Sequence, residues 1–120
     1  MKKVLVVEDN ENNLYLMRKI LQKLGYEVIE ARDGVAGVEL AITEKPHLIL
    51  MDIQLPLLDG YDATEKIREN EFTKDIIIIA VTSYAMEGDR EKALAAGCNE
   101  YVEKPIDPPS FVEVLNKYLS

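Results

Sequence analysis

Leu48-Ile49-Leu50-Met51 is an unbroken apolar run that stops at Asp52, and Pro56 and Asp59-Gly60 punctuate the segment beyond it. A strand with one wet face alternates apolar and polar residues. A run without alternation therefore predicts a strand covered on both faces. Residues 4–7 and 76–81 read the same way, being almost continuously apolar. Residues 28–31 and 101–102 are shorter and carry charge at Glu27, Glu30, Glu100 and Glu103.

Helical spacing fills the intervals between these runs. Leu14, Met17, Leu21 and Leu24 mark one helix, with Asn12 or Asn13 available as its cap and Gly25 as its stop. Val35, Val38 and Ile42 mark a second, ended by Pro46; Ala63 and Ile67 mark a third, opened by Asp59-Gly60. Residues 86–96 form a fourth, with Gly88 in its first turns and Gly97 closing it. Phe111, Val114, Leu115 and Tyr118 form a fifth, preceded by the helix-opening Pro108-Pro109-Ser110 segment. Strand and helix thus alternate five times, which predicts an α/β parallel sheet with helices on both faces. The apolar strands one, three and four belong inside the sheet and the charged strands two and five at its edges. With right-handed crossovers this gives the order 2-1-3-4-5, the flavodoxin-like (βα)5 three-layer sandwich.

The length of 120 residues suits one domain spanning 1–120. Cys98 is the single cysteine, so no internal disulfide or cysteine-based zinc cluster forms. A net charge of -8 argues against a general nucleic-acid-binding surface. There is no apolar run of the roughly 20 residues that cross a bilayer, and no secretory segment, so a cytoplasmic location without membrane attachment is expected.

In a sheet of this order the functional crevice lies at the carboxyl ends where the order reverses, here between strands one and three. Glu8-Asp9 and Asp52 stand at those ends. An acidic residue after a buried strand is ordinarily a turn former or cap. Three together repel one another unless a cation neutralises them, and they suit a hard divalent ion such as Mg2+. His47 precedes strand three, far from the crevice, and reads as a boundary histidine. Thr82 after strand four and Lys104 after strand five add a hydroxyl and an ammonium at the same open end, a set able to surround a phosphoryl group.

Residues 3–10, Lys-Val-Leu-Val-Val-Glu-Asp-Asn, together with residues 51–60, Ala80-Val81-Thr82-Ser83 and residues 101–106, resemble the receiver domain of bacterial two-component response regulators. The likeness is greatest to the single-domain kind that works in phosphorelays and cell-cycle control, and it runs over essentially the whole chain. The resemblance implies that Asp52 is the phosphoacceptor, and that Asp9 binds Mg2+ with the Asp52 carboxylate and the Gln54 carbonyl. Glu8 would act mostly through bound water. Thr82 and Lys104 would contact phosphoryl oxygens, and the Lys104–Pro105 bond would be cis. Tyr101 would change rotamer on activation, altering the face made by helix four, strand five and helix five for a downstream protein. The phosphoryl donor would be a histidine kinase or a histidine phosphotransfer protein. The chain would catalyse its own phosphorylation and slow dephosphorylation without being a conventional turnover enzyme.

Three other readings are weaker. An aspartyl-phosphate phosphatase of the haloacid-dehalogenase kind has a general-acid aspartate where this chain has Gln54. A flavodoxin-like electron carrier needs an uncharged phosphate loop where Glu8-Asp9-Asn10-Glu11 stands. An interaction module that is never phosphorylated would lack any Mg2+-dependent response to a phosphodonor.

Overall fold

The computed structural model describes residues 2–83 and 88–119. The elements run β1 Lys3–Val7, α1 Glu11–Lys23, β2 Glu27–Ala31, α2 Gly34–Glu44, β3 Leu48–Asp52, α3 Gly60–Glu69, β4 Ile77–Thr82, α4 Asp89–Ala96, β5 Glu100–Glu103 and α5 Pro108–Leu119. The sheet is parallel throughout in the order β2-β1-β3-β4-β5, which is the flavodoxin-like arrangement expected. All five residues of β3 are buried, as a run without polar alternation requires.

Alternate strand residues point to opposite faces and split the core in two. Val4, Val6, Leu48, Leu50, Ile79 and Val81 pack with Leu14, Met17 and Leu21 of α1 and Phe111, Leu115 and Leu119 of α5. Leu5, Val7, Ile49, Met51, Ile78 and Ala80 face Ala41 of α2, Ala63 and Ile67 of α3, and Ala93 of α4. The edge strand β2 is covered by charge: Arg18 of α1 makes a close two-armed ion pair with Glu30. Among the described residues no helix is long and apolar enough to cross a membrane.

Several helix ends differ from the sequence reading. Asn10, not Asn12 or Asn13, caps α1, its side chain accepting from Asn13 N–H at 3.0 Å. The chain turns directly after β1, so the first free helical N–H groups meet Asn10 and the other two asparagines fall inside the first turn. The α2 helix stops at Glu44, before Pro46, because Lys45 takes φ 46 there, and the residue before a proline is barred from continuing a helix in any case. Gly88 precedes α4 as its cap at φ 92 instead of lying within it. Met86, read as the start of that helix, lies outside the described residues. Pro108 is the first residue of α5, so the proline segment opens the helix as expected, since a first-turn proline sacrifices no helical hydrogen bond.

Arg68, near the end of α3, fastens three segments at the amino end of β4. Its guanidinium donates to the carbonyls of Gly97, Lys74 and Ile76 at 2.9, 2.8 and 2.6 Å and to Asn99 Oδ1 at 2.8 Å. Gly97 takes φ 118, and a Cβ there would stand 2.7 Å from Arg68 Cγ.

Candidate functional site

Strand register brings the acidic residues together. Val7 and Met51 are partners across β1 and β3, so Glu8 and Asp52 emerge side by side, one position beyond. Carboxylate oxygens of Glu8, Asp9 and Asp52 lie within 4.8 Å of one another. Asp9 is exposed, whereas Glu8 is fully buried and Asp52 is 6 % exposed. On the other side of Asp52, β4 ends at Thr82, which pairs with Glu103 of β5. Lys104 N–H donates to the Thr82 carbonyl at 2.7 Å. That bond aims the Lys104 side chain back into the crevice, where Nζ donates to Glu8 Oε1 at 2.5 Å and stands 3.5 Å from Asp52 Oδ2. The Lys104–Pro105 peptide bond is cis.

Two buried carboxylates thus share one buried ammonium among the described residues. The Asp52 carboxyl is pushed up to about 7, first by burial and then by Glu8, which shares a hydrogen bond and repels its charge. Lys104 and the Gln54 N–H, which donates to Asp52 Oδ1 at 3.2 Å, pull the other way. The excess of buried negative charge, presented as hard oxygen donors, fits a small divalent cation. Beside the crevice lies a cavity of about 450 Å³ lined by Asp9, Gln54, Pro56, Asp59, Tyr61 and Lys92.

A family model described as the response regulator receiver domain matches residues 4–116. The chain belongs to that family. Receiver domains are the phosphorylated switches of two-component and phosphorelay signalling, and relatives agree across nearly the whole length. The polar-differentiation response regulator DivK of Brucella anthropi is 43% identical over 118 residues, covering 98% of this chain and 96% of DivK. The receiver domain of the sensor histidine kinase PA1611 of Pseudomonas aeruginosa, solved with a magnesium ion coordinated in its active-site cleft, is 40% identical with a TM-score of 0.91. That match covers 98% of this chain and 96% of the other. The receiver domain of the response regulator Ssk1 of Saccharomyces cerevisiae was solved with the histidine phosphotransfer protein Ypd1. It is 31% identical with a TM-score of 0.90, over 98% of this chain and 88% of the other.

Within this receiver domain, Glu8, Asp9, Asp52 and Lys104 meet at one place, Thr82 ends the neighbouring strand, and Gln54 stands two positions after Asp52. Tyr101 lies one strand further on, opposite Ala80. Its ring packs against the α3–α4 side of the core, and its hydroxyl is buried with no hydrogen-bond partner among the described residues. Burial, followed by the charges of Asp89 and Glu103, holds its phenol above the usual range. His47 lies at the opposite end of the sheet, where its Nδ1 accepts from Lys3 N–H at 3.0 Å. The sequence reading passed over Asn10, which donates its N–H to Glu8 Oε2 at 3.2 Å, and over Gly34, which approaches the loop after β3. An asparagine directly after the acidic pair and the Asp33-Gly34 turn were the available signals.

Proposed function

We propose that this receiver domain accepts a phosphoryl group on Asp52 from the phosphohistidine of a histidine kinase or histidine phosphotransfer protein in the cytoplasm. The observation that carries this reading is the buried Asp52 carboxylate, 3.5 Å from the Lys104 ammonium and clustered with Glu8 and Asp9. An Asp52 oxygen attacks phosphorus, the bond from phosphorus to the donor imidazole breaks, and the imidazole keeps the electron pair. Lys104 favours the ionised nucleophile and faces the charge gathering on the phosphoryl oxygens. Thr82, at the end of β4, supplies a hydroxyl to the same group. Asp9, Asp52 and the Gln54 carbonyl would hold Mg2+, with Glu8, already paired with Lys104, acting through water. When bound, the ion neutralises charge shared between acceptor and phosphoryl oxygens. Addition of acetyl phosphate and Mg2+ tests the reading: intact mass reports one phosphoryl group per chain, and absence of labelling in the wild type overturns it.

Glu8→Ala, which removes a carboxylate acting through water, is expected to weaken Mg2+ binding about tenfold, and Asp9→Ala, which removes a direct ligand, about a hundredfold or more. Titration calorimetry at fixed ionic strength decides between them, and equal losses would remove the division between direct and water-mediated roles.

The proposed output surface is built around Tyr101, whose hydroxyl is buried with no hydrogen-bond partner among the described residues. The Tyr101 ring packs against the α3–α4 side of the core, and on this reading it exchanges between an inward and an outward rotamer. Phosphorylation that draws Thr82 inward shifts this balance, and a downstream protein reads the surface of α4, β5 and α5. Beryllofluoride with Mg2+ is expected to move amide resonances in 89–96 and 100–103 more than in 13–23. Thr82→Ala should mute that distant response while leaving Asp52 labelling measurable. Shifts confined to the acidic loops would place the output elsewhere.

A further inference from the structure

The loop between β3 and α3 carries Gln54; its Ile53, Leu55 and Leu58 side chains pack on the core, and at two glycines its backbone is approached too closely for any side chain. At its far end, a Cβ on Gly60 would stand 2.2 Å from the Asp52 carbonyl oxygen, and Gly60 N–H donates to the Ile53 carbonyl at 2.8 Å. In the middle, Leu58 N–H donates to the Pro56 carbonyl at 2.7 Å around Leu57, whose φ is 69. This is the rare, strained form of three-residue turn, in a region that leucine seldom occupies. The Leu57 side chain is 82 % exposed, so its own burial does not hold the turn.

The α2 helix lies against this strained segment. Gly34 N–H donates to the Pro56 carbonyl at 3.5 Å. A Cβ on Gly34 would fall 1.8 Å from the Leu58 carbonyl oxygen and 2.7 Å from its carbon, a backbone clash that no side-chain rotation relieves. One turn later, a Cβ on Gly37 would stand 3.0 Å from both Val7 Cγ atoms, and Val7 directly precedes Glu8. Through these two glycines α2 touches both chain segments that bring the carboxylates together. Gly34 is required here for space.

We propose that Gly34 is a positioning residue for the metal site: its bare backbone lets α2 brace the loop after β3 and hold the Gln54 carbonyl beside Asp9 and Asp52. The proposal rests on the Mg2+ assignment above and adds a residue that touches neither the ion nor the phosphoryl group. Its test compares Gly34→Ala with Gly25→Ala, because Gly25 has φ 89 and open space around it. Alanine at Gly25 strains the backbone and lowers the urea midpoint far from the site.

Gly34→Ala is expected to weaken Mg2+ binding about tenfold and to displace the Gln54 amide resonance even without metal, whereas Gly25→Ala leaves both unchanged. If Gly34→Ala does not fold, the double variant Gly34→Ala/Leu57→Gly is measured instead, since glycine at 57 lets the loop yield; the same loss of affinity is expected. Wild-type Mg2+ affinity and an unmoved Gln54 resonance, in whichever of these folds, would overturn the brace. A wild type that binds no Mg2+ would instead overturn the metal assignment, a result read independently in the same titration.

Discussion

Asp52→Asn takes up no phosphoryl group and, without metal above pH 7, withstands more urea than the wild type. Loss of labelling follows from removing the nucleophile, since asparagine has no carboxylate to attack with. Base-labile incorporation of one phosphoryl group into the variant would move the acceptor to another residue. The gain in stability follows from Asp52's folded-state value of about 7, raised from an ordinary 3.8 mainly by burial and Glu8. Between these values the folded state holds a proton that the unfolded chain has released. Stability is therefore full below about pH 4 and falls as pH rises through 7. Asparagine removes that loss, which is worth on the order of 4 kcal/mol at about 1.4 kcal/mol per pKa unit. Urea unfolding at pH 8 should show the variant's midpoint higher by about 1 M or more, with the gap closing toward pH 4. A gap of the same size at both pH values would show that crowded charge is not its cause. Saturating Mg2+ should raise the wild type more than the variant, because only the wild type supplies the full set of carboxylates.

Lys104→Ala should slow phosphoryl transfer by about 10²–10³-fold, the scale of losing one charged or hydrogen-bonding group aimed at the transition state. Much of the Mg2+ affinity should remain, because the ammonium is not a ligand. The same substitution leaves Glu8 buried without its 2.5 Å partner, and the metal-free protein should lose about 3 kcal/mol of stability. Rapid-mixing kinetics at saturating Mg2+ and saturating acetyl phosphate isolate the transfer step from folding. An unchanged rate there would leave Lys104 a structural counter-charge to Glu8 and take it out of the chemistry.

The architecture was open to sequence reasoning because burial on two faces leaves a plain mark. The run Leu48-Ile49-Leu50-Met51 required an interior strand, and charge at Glu27, Glu30, Glu100 and Glu103 required edges. Together these selected the strand order. Convergence of Glu8, Asp9 and Asp52 then followed from topology. The pairing of Lys104 with Glu8, 96 positions earlier, was not legible in this way, since it depends on where a flexible side chain ends after the turn at Thr82. The α1 cap was missed because three asparagines stand close together and only the end of β1 selects Asn10. Gly34 was missed for a different reason. A glycine needed for a positive φ belongs to a recognisable turn, whereas one needed for a close approach depends on a segment more than twenty positions away.

The bonds made by Arg68 and Arg90 tie the two ends of α4 to different parts of the fold. The helix's carboxyl end is fastened through Gly97 to the third helix and to the start of the fourth strand, whereas Arg90 in its first turn faces Glu100 of the fifth strand at 3.9 Å. Because the strands are parallel, the Arg68 joint lies at the end of the sheet opposite the acidic crevice. One guanidinium therefore closes the bottom of the molecule, where three segments of the chain meet, while the carboxylates occupy its open top.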